Sequence, residues 1–242
     1  MISFTKKKIL NDTYDLIFGI GAACSCSETL RTCGLQFKSY PLDWLYGADL
    51  KTRIDFVVNG FQDFINKEDL IKAGEREHPL PCDIYANTRN QIVFNHDFAL
   101  HQNLDDTYPG VKEKYDRRIK RLYDHIEKAQ KILVIYIQTP AMQTRIRKIK
   151  RQIKENLPNL LAKFPDKDIN FLYVTHKKYP FHLKRNIQIT KNSLLVVTNY
   201  RNKDKTTEPF VVEASLLNNI FKNVKLTKKV IVDQKPKNWV MQ

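Results

Sequence analysis

The sequence predicts an α/β fold, three-layer, with a mostly parallel sheet and helices on both faces. Continuous apolar runs at 16–20, 131–137 (KILVIYI), 169–175 (INFLYVT) and 194–199 have the length and composition of strands covered on both sides. Amphipathic stretches lie between them. In 111–130, Tyr115, Ile119, Leu122 and Ile126 form one stripe; 140–164 is striped by Ile146, Ile149, Ile153, Leu157, Leu160 and Phe164. Strands that alternate with helices read as parallel crossovers. With no internal repeat or linker, 14–242 reads as one domain behind a basic lead-in, 1–13.

The remaining elements follow from local signals. Run 16–20 ends in a turn with Gly19 and Gly21, and a helix starts at Cys24, where Ser25 and Ser27 suit a cap and Glu28 suits a first turn. Cys33 and Gly34 end it. Pro41 forces the chain to extend or turn, leaving Asp43 between Leu42 and Trp44. Residues 49–65 repeat Leu50, Ile54, Val57 and Phe61 at helical spacing, and 66–81 reads as a polar loop. A hairpin over 83–98 turns at 87–90 and sets His96 and Asp97 at its exit. Tyr108, Pro109 and Gly110 read as loop, Pro158 as a kink or division, and 177–192 as basic and irregular. Pro209 opens a helix to 223, and 229–232 reads as an edge strand.

Composition narrows the classes. A net charge of +15 over 242 residues favours anionic partners, an anionic or acyl substrate included, and equally describes a lysine-rich solvated surface. Nucleic acid is disfavoured, because no aromatic–basic interleaving accompanies the charge. No run approaches the ~20 apolar residues of a membrane span. The start, MISFTKKKIL, lacks a signal peptide's apolar region, and the unevenly spaced cysteines 24, 26, 33 and 82 suit a reducing, cytoplasmic setting. Oligomeric state is not legible.

Cys24 is the candidate nucleophile, since a thiol at a helix N-terminus meets open backbone N–H groups and the positive dipole end. A lone cysteine is equally a small buried hydrophobe. Cys26 is the reserve thiol, its side chain diverging from that of Cys24 on a helix. The Gly19–Gly21 turn is a weak phosphate-loop signal, with neither a third glycine nor a Lys-Ser/Thr pair. No paired metal-ligand spacing is present, so no metal is expected. Arg117, Arg118 and Arg121 form either an anion-binding subsite or a solvated face paired with Glu113 and Asp124. The basic run 145–154 reads as solvated.

Three stretches carry a family resemblance: GIGAACSCSETLRTCGLQFKSYPLDW, IVFNHDF and VKEKYDRRIKRLYDHI. They resemble blocks of the bacterial and viral family of putative papain-like cysteine peptidases, which has a Gly-x-x-Cys turn, a Pro-Phe-Asp-Trp ending and a tyrosine followed by paired arginines. The likeness covers about half the chain, 14–137, in the family's order. It sets the family's cysteine on Cys24, its histidine on His96 and its Asp-Trp on Asp43 and Trp44; Leu42 replaces the usual phenylalanine.

The resemblance implies Cys24 as nucleophile and His96 as base, with Asp43 as orienter. Asp97 is second choice, because neighbours on a strand point to opposite faces. Backbone N–H groups of 23–25 would hold the oxyanion, and His176, ending INFLYVT, is the reserve base. Hydrolysis of a peptide or acyl bond follows the family's label and needs no cofactor. Acyl transfer onto a surface polysaccharide from an anionic donor such as coenzyme A is the alternative. The rival class is a non-catalytic module binding a nucleotide-sugar or another anion. The family name implies a histidine on an antiparallel sheet, whereas the strand–helix alternation predicts Cys24 and His96 both at carboxyl ends of a doubly wound sheet.

Overall fold

The computed structural model describes residues 9–78, 80–139, 142, 144–177, 184–199 and 219–234. Strands β1 (Thr13–Tyr14) and β2 (Leu16–Gly19) lead into helix α1 (Cys24–Thr32). Next come β3 (Leu45–Gly47), α2 (Leu50–Val58), β4 (Leu70–Arg76), β5 (Cys82–Asn87) and β6 (Ile92–Phe98). They are followed by α3 (Leu104–Lys128), β7 (Lys131–Ile137), α4 (Ile146–Lys163) and β8 (Asp168–Lys177). Strands β9 (Lys184–Thr190), β10 (Ser193–Asn199) and β11 (Lys225–Leu226) and helix α5 (Lys228–Gln234) complete the described chain.

The four apolar runs form one sheet in the order β2-β7-β8-β10, mutually parallel, with β9 antiparallel at its edge. Its residues alternate between two apolar clusters, as the period of a strand requires. Phe18, Val134, Phe171 and Leu195 pack with Ile54 of α2, Tyr115 of α3 and Ile149 of α4. Their neighbours Ile17, Leu133, Leu172 and Val196 pack instead with Cys26 and Leu30 of α1 and with Ile220 and Phe221.

The expectation of a single sheet is corrected by a second one, β3-β6-β5-β4, antiparallel throughout. Stretch 66–81 is therefore not a loop: it contains β4, an edge strand in which Leu70 alone is buried. With one face wet and the other barely covered, β4 carries no apolar alternation to betray it. The irregular reading of 177–192 fails in the same way at β9, also an edge strand. At 229–232 the β-branched residues form a turn of α5, where Val230 packs on the second cluster; such propensity is a weak prior that packing overrides.

Other boundaries move for local reasons. Ile9 and Leu10, expected in the lead-in, are buried, and the Tyr14 hydroxyl donates to the Ile9 carbonyl at 3.0 Å. Helix α2 stops before Gly60, at a φ of +72° that glycine tolerates. The Asn103 side chain accepts from the Asp105 N–H at 3.0 Å and starts α3 earlier than expected, with Pro109 inside it. Helix α4 runs unbroken past Pro158. Residue 140 and the expected helix at 209–218 lie outside the described residues.

Candidate active site

Helix α1 begins directly after β2 and lies almost against it. A Cβ on Gly21 would stand 2.3 Å from the Cys26 Cβ and 3.2 Å from the Ile137 nitrogen; one on Gly19 would stand 2.9 Å from the Cys26 sulfur. The glycine turn thus exists to admit the helix, which replaces the phosphate-loop reading. Beneath it Cys26 is sealed in, its thiol donating to the Ile135 carbonyl at 3.7 Å and pushed up to about 12 by burial. It is a packing residue and not a second nucleophile.

Cys24, two residues earlier, opens the helix. Its N-cap, Ala23, has no side chain to bond the first-turn N–H groups; the Cys26 N–H donates to the Ala23 carbonyl at 3.1 Å, and the Cys24 N–H lies against the sulfur. Burial pushes the Cys24 thiol up, to about 11; its own backbone N–H and the Arg76 guanidinium pull it down, while Asp97 and Glu28 push it up. The sulfur lies 3.2 Å from Nε2 of His96, across 72 residues of sequence.

His96 reaches that position from a bulge. On β6 the register with β5 jumps from Phe94–Tyr85 to Phe98–Asp83, so Asn95, His96 and Asp97 stand against Ile84 alone. Such an irregularity re-aims side chains. The Cys82 thiol holds the bulge, donating to the Asn95 carbonyl at 2.9 Å. Asp97 turns to α3, accepting from Lys114 and, at 3.0 Å, from the Tyr115 hydroxyl.

The other ring nitrogen of His96 meets a residue the sequence reading missed. Nη2 of Arg76, at the end of β4, lies 2.8 Å from Nδ1. Its Nε donates to the Leu80 carbonyl at 3.1 Å, which fixes the guanidinium from behind. Asp43, expected as orienter, is engaged elsewhere. Fully buried, it accepts from the Ser27 hydroxyl at 2.8 Å, the Tyr40 N–H at 2.7 Å and the Gln36 amide. Burial pushes its carboxyl up; those three donors and Arg118 pull it back. Ser27 also receives the Trp44 N–H at 3.3 Å, and Trp44 has a φ of +69°, a strained value for a bulky residue. The Asp-Trp pair is thus a clamp that fastens the 36–44 loop to α1, with the Arg31 guanidinium 5.4 Å above the indole.

A second missed residue joins the two halves. Arg53 of α2 is fully buried and donates to the carbonyls of Gly21, Leu45 at 3.3 Å and Gly47 at 2.7 Å. It ties the turn before Cys24 to β3 of the antiparallel sheet.

Comparison with known proteins gives a family. The profile of the family described as "Putative papain-like cysteine peptidase" matches residues 15–178, which span Cys24, Asp43, Arg76 and His96. The chain belongs to this family. An uncharacterised protein of Acanthamoeba polyphaga mimivirus is 26% identical over 182 residues, covering 69% of this chain and 78% of the viral one. No solved structure matches. The expectation that His96 ends a strand of the doubly wound sheet is corrected, because β6 belongs to the antiparallel sheet. His96 lies on an antiparallel sheet, as the family name implies, and Cys24 follows a parallel strand, as the strand–helix pattern predicts.

The remaining candidates do not converge on the thiol. Arg117 pairs with Glu113 at 3.3 Å on the surface, Arg118 lies 5.3 Å over the Tyr115 ring and Arg121 donates to the Ser39 carbonyl at 2.8 Å. Each of the three has its own contact within the protein, while burial and then the nearby Arg117 and Arg118 pull Arg121 down, and Asp124 pairs with Lys120 at 2.7 Å. His176, the reserve base, is buried on β8 beside Thr198 of β10; neither ring nitrogen has a hydrogen-bond partner among the described residues, and burial pushes it down to about 4. Among the described residues no group of histidines, cysteines and carboxylates is arranged to hold a metal ion.

Proposed function

We propose that this chain performs cysteine-dependent acyl chemistry: the Cys24 sulfur attacks an acyl carbon, and the acyl group rests on it as a thioester. The reading is carried by one observation, the 3.2 Å approach of the Cys24 sulfur to His96 Nε2 at a helix start with no capping side chain. An imidazole at that distance handles the thiol proton or holds the thiolate, and open N–H groups at residues 24 and 25 would receive the carbonyl oxygen as it becomes an oxyanion. The family's label favours hydrolysis of a peptide or other acyl bond. Transfer to a hydroxyl acceptor from an anionic donor such as coenzyme A uses the same first step. A three-layer arrangement around the parallel sheet is part of the reading, supported by apolar clusters on alternate residues of its strands. A cytoplasmic setting is supported by four cysteines with no disulfide between them.

A p-nitrophenyl acetate burst tests the reading. One equivalent of p-nitrophenolate should appear rapidly, with a single acetyl group on the peptide containing Cys24. Cys24→Ala should abolish the burst and His96→Ala should slow it by roughly 100-fold, the typical worth of a positioned proton-handling group. Acetylation spread over surface lysines, unaffected by either substitution, would refute it.

A further inference from the structure

The identity of the group facing His96 Nδ1 restricts which acyl bonds the site can break. A guanidinium has N–H donors and no acceptor. With Arg76 Nη2 2.8 Å from Nδ1, that nitrogen must be the acceptor, and the ring proton belongs on Nε2, pointing at the Cys24 sulfur 3.2 Å away. Arg76 cannot turn aside freely, because its Nε is bound to the Leu80 carbonyl. Glu75, its neighbour on β4, is occupied by Lys72 at 2.5 Å and His101 at 3.2 Å.

In this arrangement His96 donates to sulfur, and the guanidinium behind it contributes the positive charge that the thiolate needs. A second ring proton, on Nδ1, would aim an N–H at an N–H of like charge. Without it the ring stays neutral, and the Nε2 proton that faces the reacting sulfur could pass to a departing amine only by leaving an imidazolate behind. As a C–N bond breaks, the nitrogen must be protonated to leave, and in cysteine and serine peptidases a doubly protonated imidazole supplies the proton. A sulfur leaving group makes no such demand, since a thiol ionises near pH 8.5 and departs as the thiolate.

Resting on the nucleophile reading of Cys24, we infer that the site takes acyl groups from thioesters in preference to cleaving amides, with Arg76 as the positioning residue that sets this choice. The Cys24 thiolate attacks the carbonyl carbon of the donor thioester and forms a new C–S bond. The tetrahedral oxyanion then collapses, the donor's C–S bond breaks, and its electron pair leaves on the donor sulfur. The Cys24 proton leaves to solvent before attack; from there one thiolate is consumed and one released, so the transfer itself balances without a general acid. Among the described residues, the charged and titratable groups that act on Cys24 include Arg76 and His96 on the antiparallel sheet, Asp97 beyond them, Glu28 on its own helix and the buried Arg53 of α2.

The test compares phenyl thioacetate with an acetyl-capped peptide p-nitroanilide on the full chain. The expected result is stoichiometric acetylation of Cys24 by the thioester and anilide turnover at least about 100-fold slower, the deficit of a missing general acid. Arg76→Ala should cut Cys24 acetylation at pH 7 about tenfold and move its pH profile upward, and Arg76→Lys, which restores a donor, should recover most of it. Nitrogen-15 spectra of the histidine-labelled wild type should show Nδ1 unprotonated and Nε2 protonated in His96, a readout that needs no variant to fold. Anilide cleavage as fast as thioester acylation, or a protonated Nδ1, would overturn the thioester inference and leave the nucleophile intact. Failure of thioester, anilide and p-nitrophenyl acetate alike to modify Cys24 would instead overturn the nucleophile reading, and this inference with it.

Discussion

The parallel sheet holds Cys24 by packing, whereas the antiparallel sheet holds His96 by polar contacts. On the first side, α1 is set by two glycines that let Cys26 press onto β2 and β7, and by the apolar cluster around Leu30. On the second, a bulge, the Cys82 thiol and Arg76 aim the imidazole, while Lys114 and Tyr115 draw Asp97 aside. The nucleophile therefore has a position fixed by volume, insensitive to pH and salt. The histidine has a position fixed by donors and acceptors, which titrate and can be exchanged. Only Arg53 donates hydrogen bonds to carbonyls on both sides of this division, among the described hydrogen bonds around the site.

The comparison breaks most sharply at the two reacting groups. Cys24→Ala should remove covalent acetylation altogether and His96→Ala should reduce it roughly 100-fold, with both variants keeping the wild-type urea midpoint within experimental error. If His96→Ala unfolds the chain instead, the antiparallel side depends on that ring for stability and the division drawn here is wrong.

The strap comes next. Arg53→Met keeps the bulk of the side chain and deprives three buried carbonyl partners of their donor, for an expected loss of about 3 kcal/mol by urea denaturation. Acid should have a comparable effect through His176. Its pKa, pushed down to about 4 by burial from 6.5 in the open chain, means that the unfolded state takes up the proton first. The stability due to the neutral buried ring is complete above pH 6.5 and is lost as pH falls toward 4, by up to about 3 kcal/mol. In His176→Leu this part of the pH dependence of the urea midpoint should flatten.

Smaller effects separate the two glycine environments. Gly21→Ala must displace Cys26 and should cost about 1–3 kcal/mol. Gly110→Ala, in a helix with nothing near the new methyl, should gain about 0.5 kcal/mol by the same urea denaturation. Arg117→Ala breaks an exposed pair with Glu113 and should change stability by less than about 0.5 kcal/mol.

The same division explains what the sequence disclosed. The parallel side is written in contiguous apolar runs such as KILVIYI, so its strands, its helix stripes and Cys24 at a helix start could be read locally. The antiparallel side rests on short or wet strands. β3 has three residues, and β4 (LIKAGER) buries its first residue alone, so neither shows a period. Arg76 was invisible for that reason, since nothing local distinguishes it from a solvated arginine. The one indirect signal was β5, a half-buried strand at 82–87 with β6 on only one side and an open edge in need of a partner. Asp43 was picked out by its place beside Trp44 and by the resemblance, yet its donors, Ser27, Gln36 and the Tyr40 N–H, were not, because a motif records that a carboxylate is needed without recording which groups it serves. Arg53 lies among the apolar residues of an amphipathic helix, and nothing local marks it as the partner of three buried carbonyls.

The account turns on Cys24 and His96 acting as one unit across the two sheets, and the rate of Cys24 alkylation by iodoacetamide against pH, followed by mass spectrometry, tests this directly. Wild type should react at pH 7 at least about tenfold faster than His96→Ala, with its profile displaced to lower pH than the value near 11 at which burial leaves the thiol after Arg76 and its own backbone N–H have pulled it down. Superimposable profiles for the two proteins would contradict it.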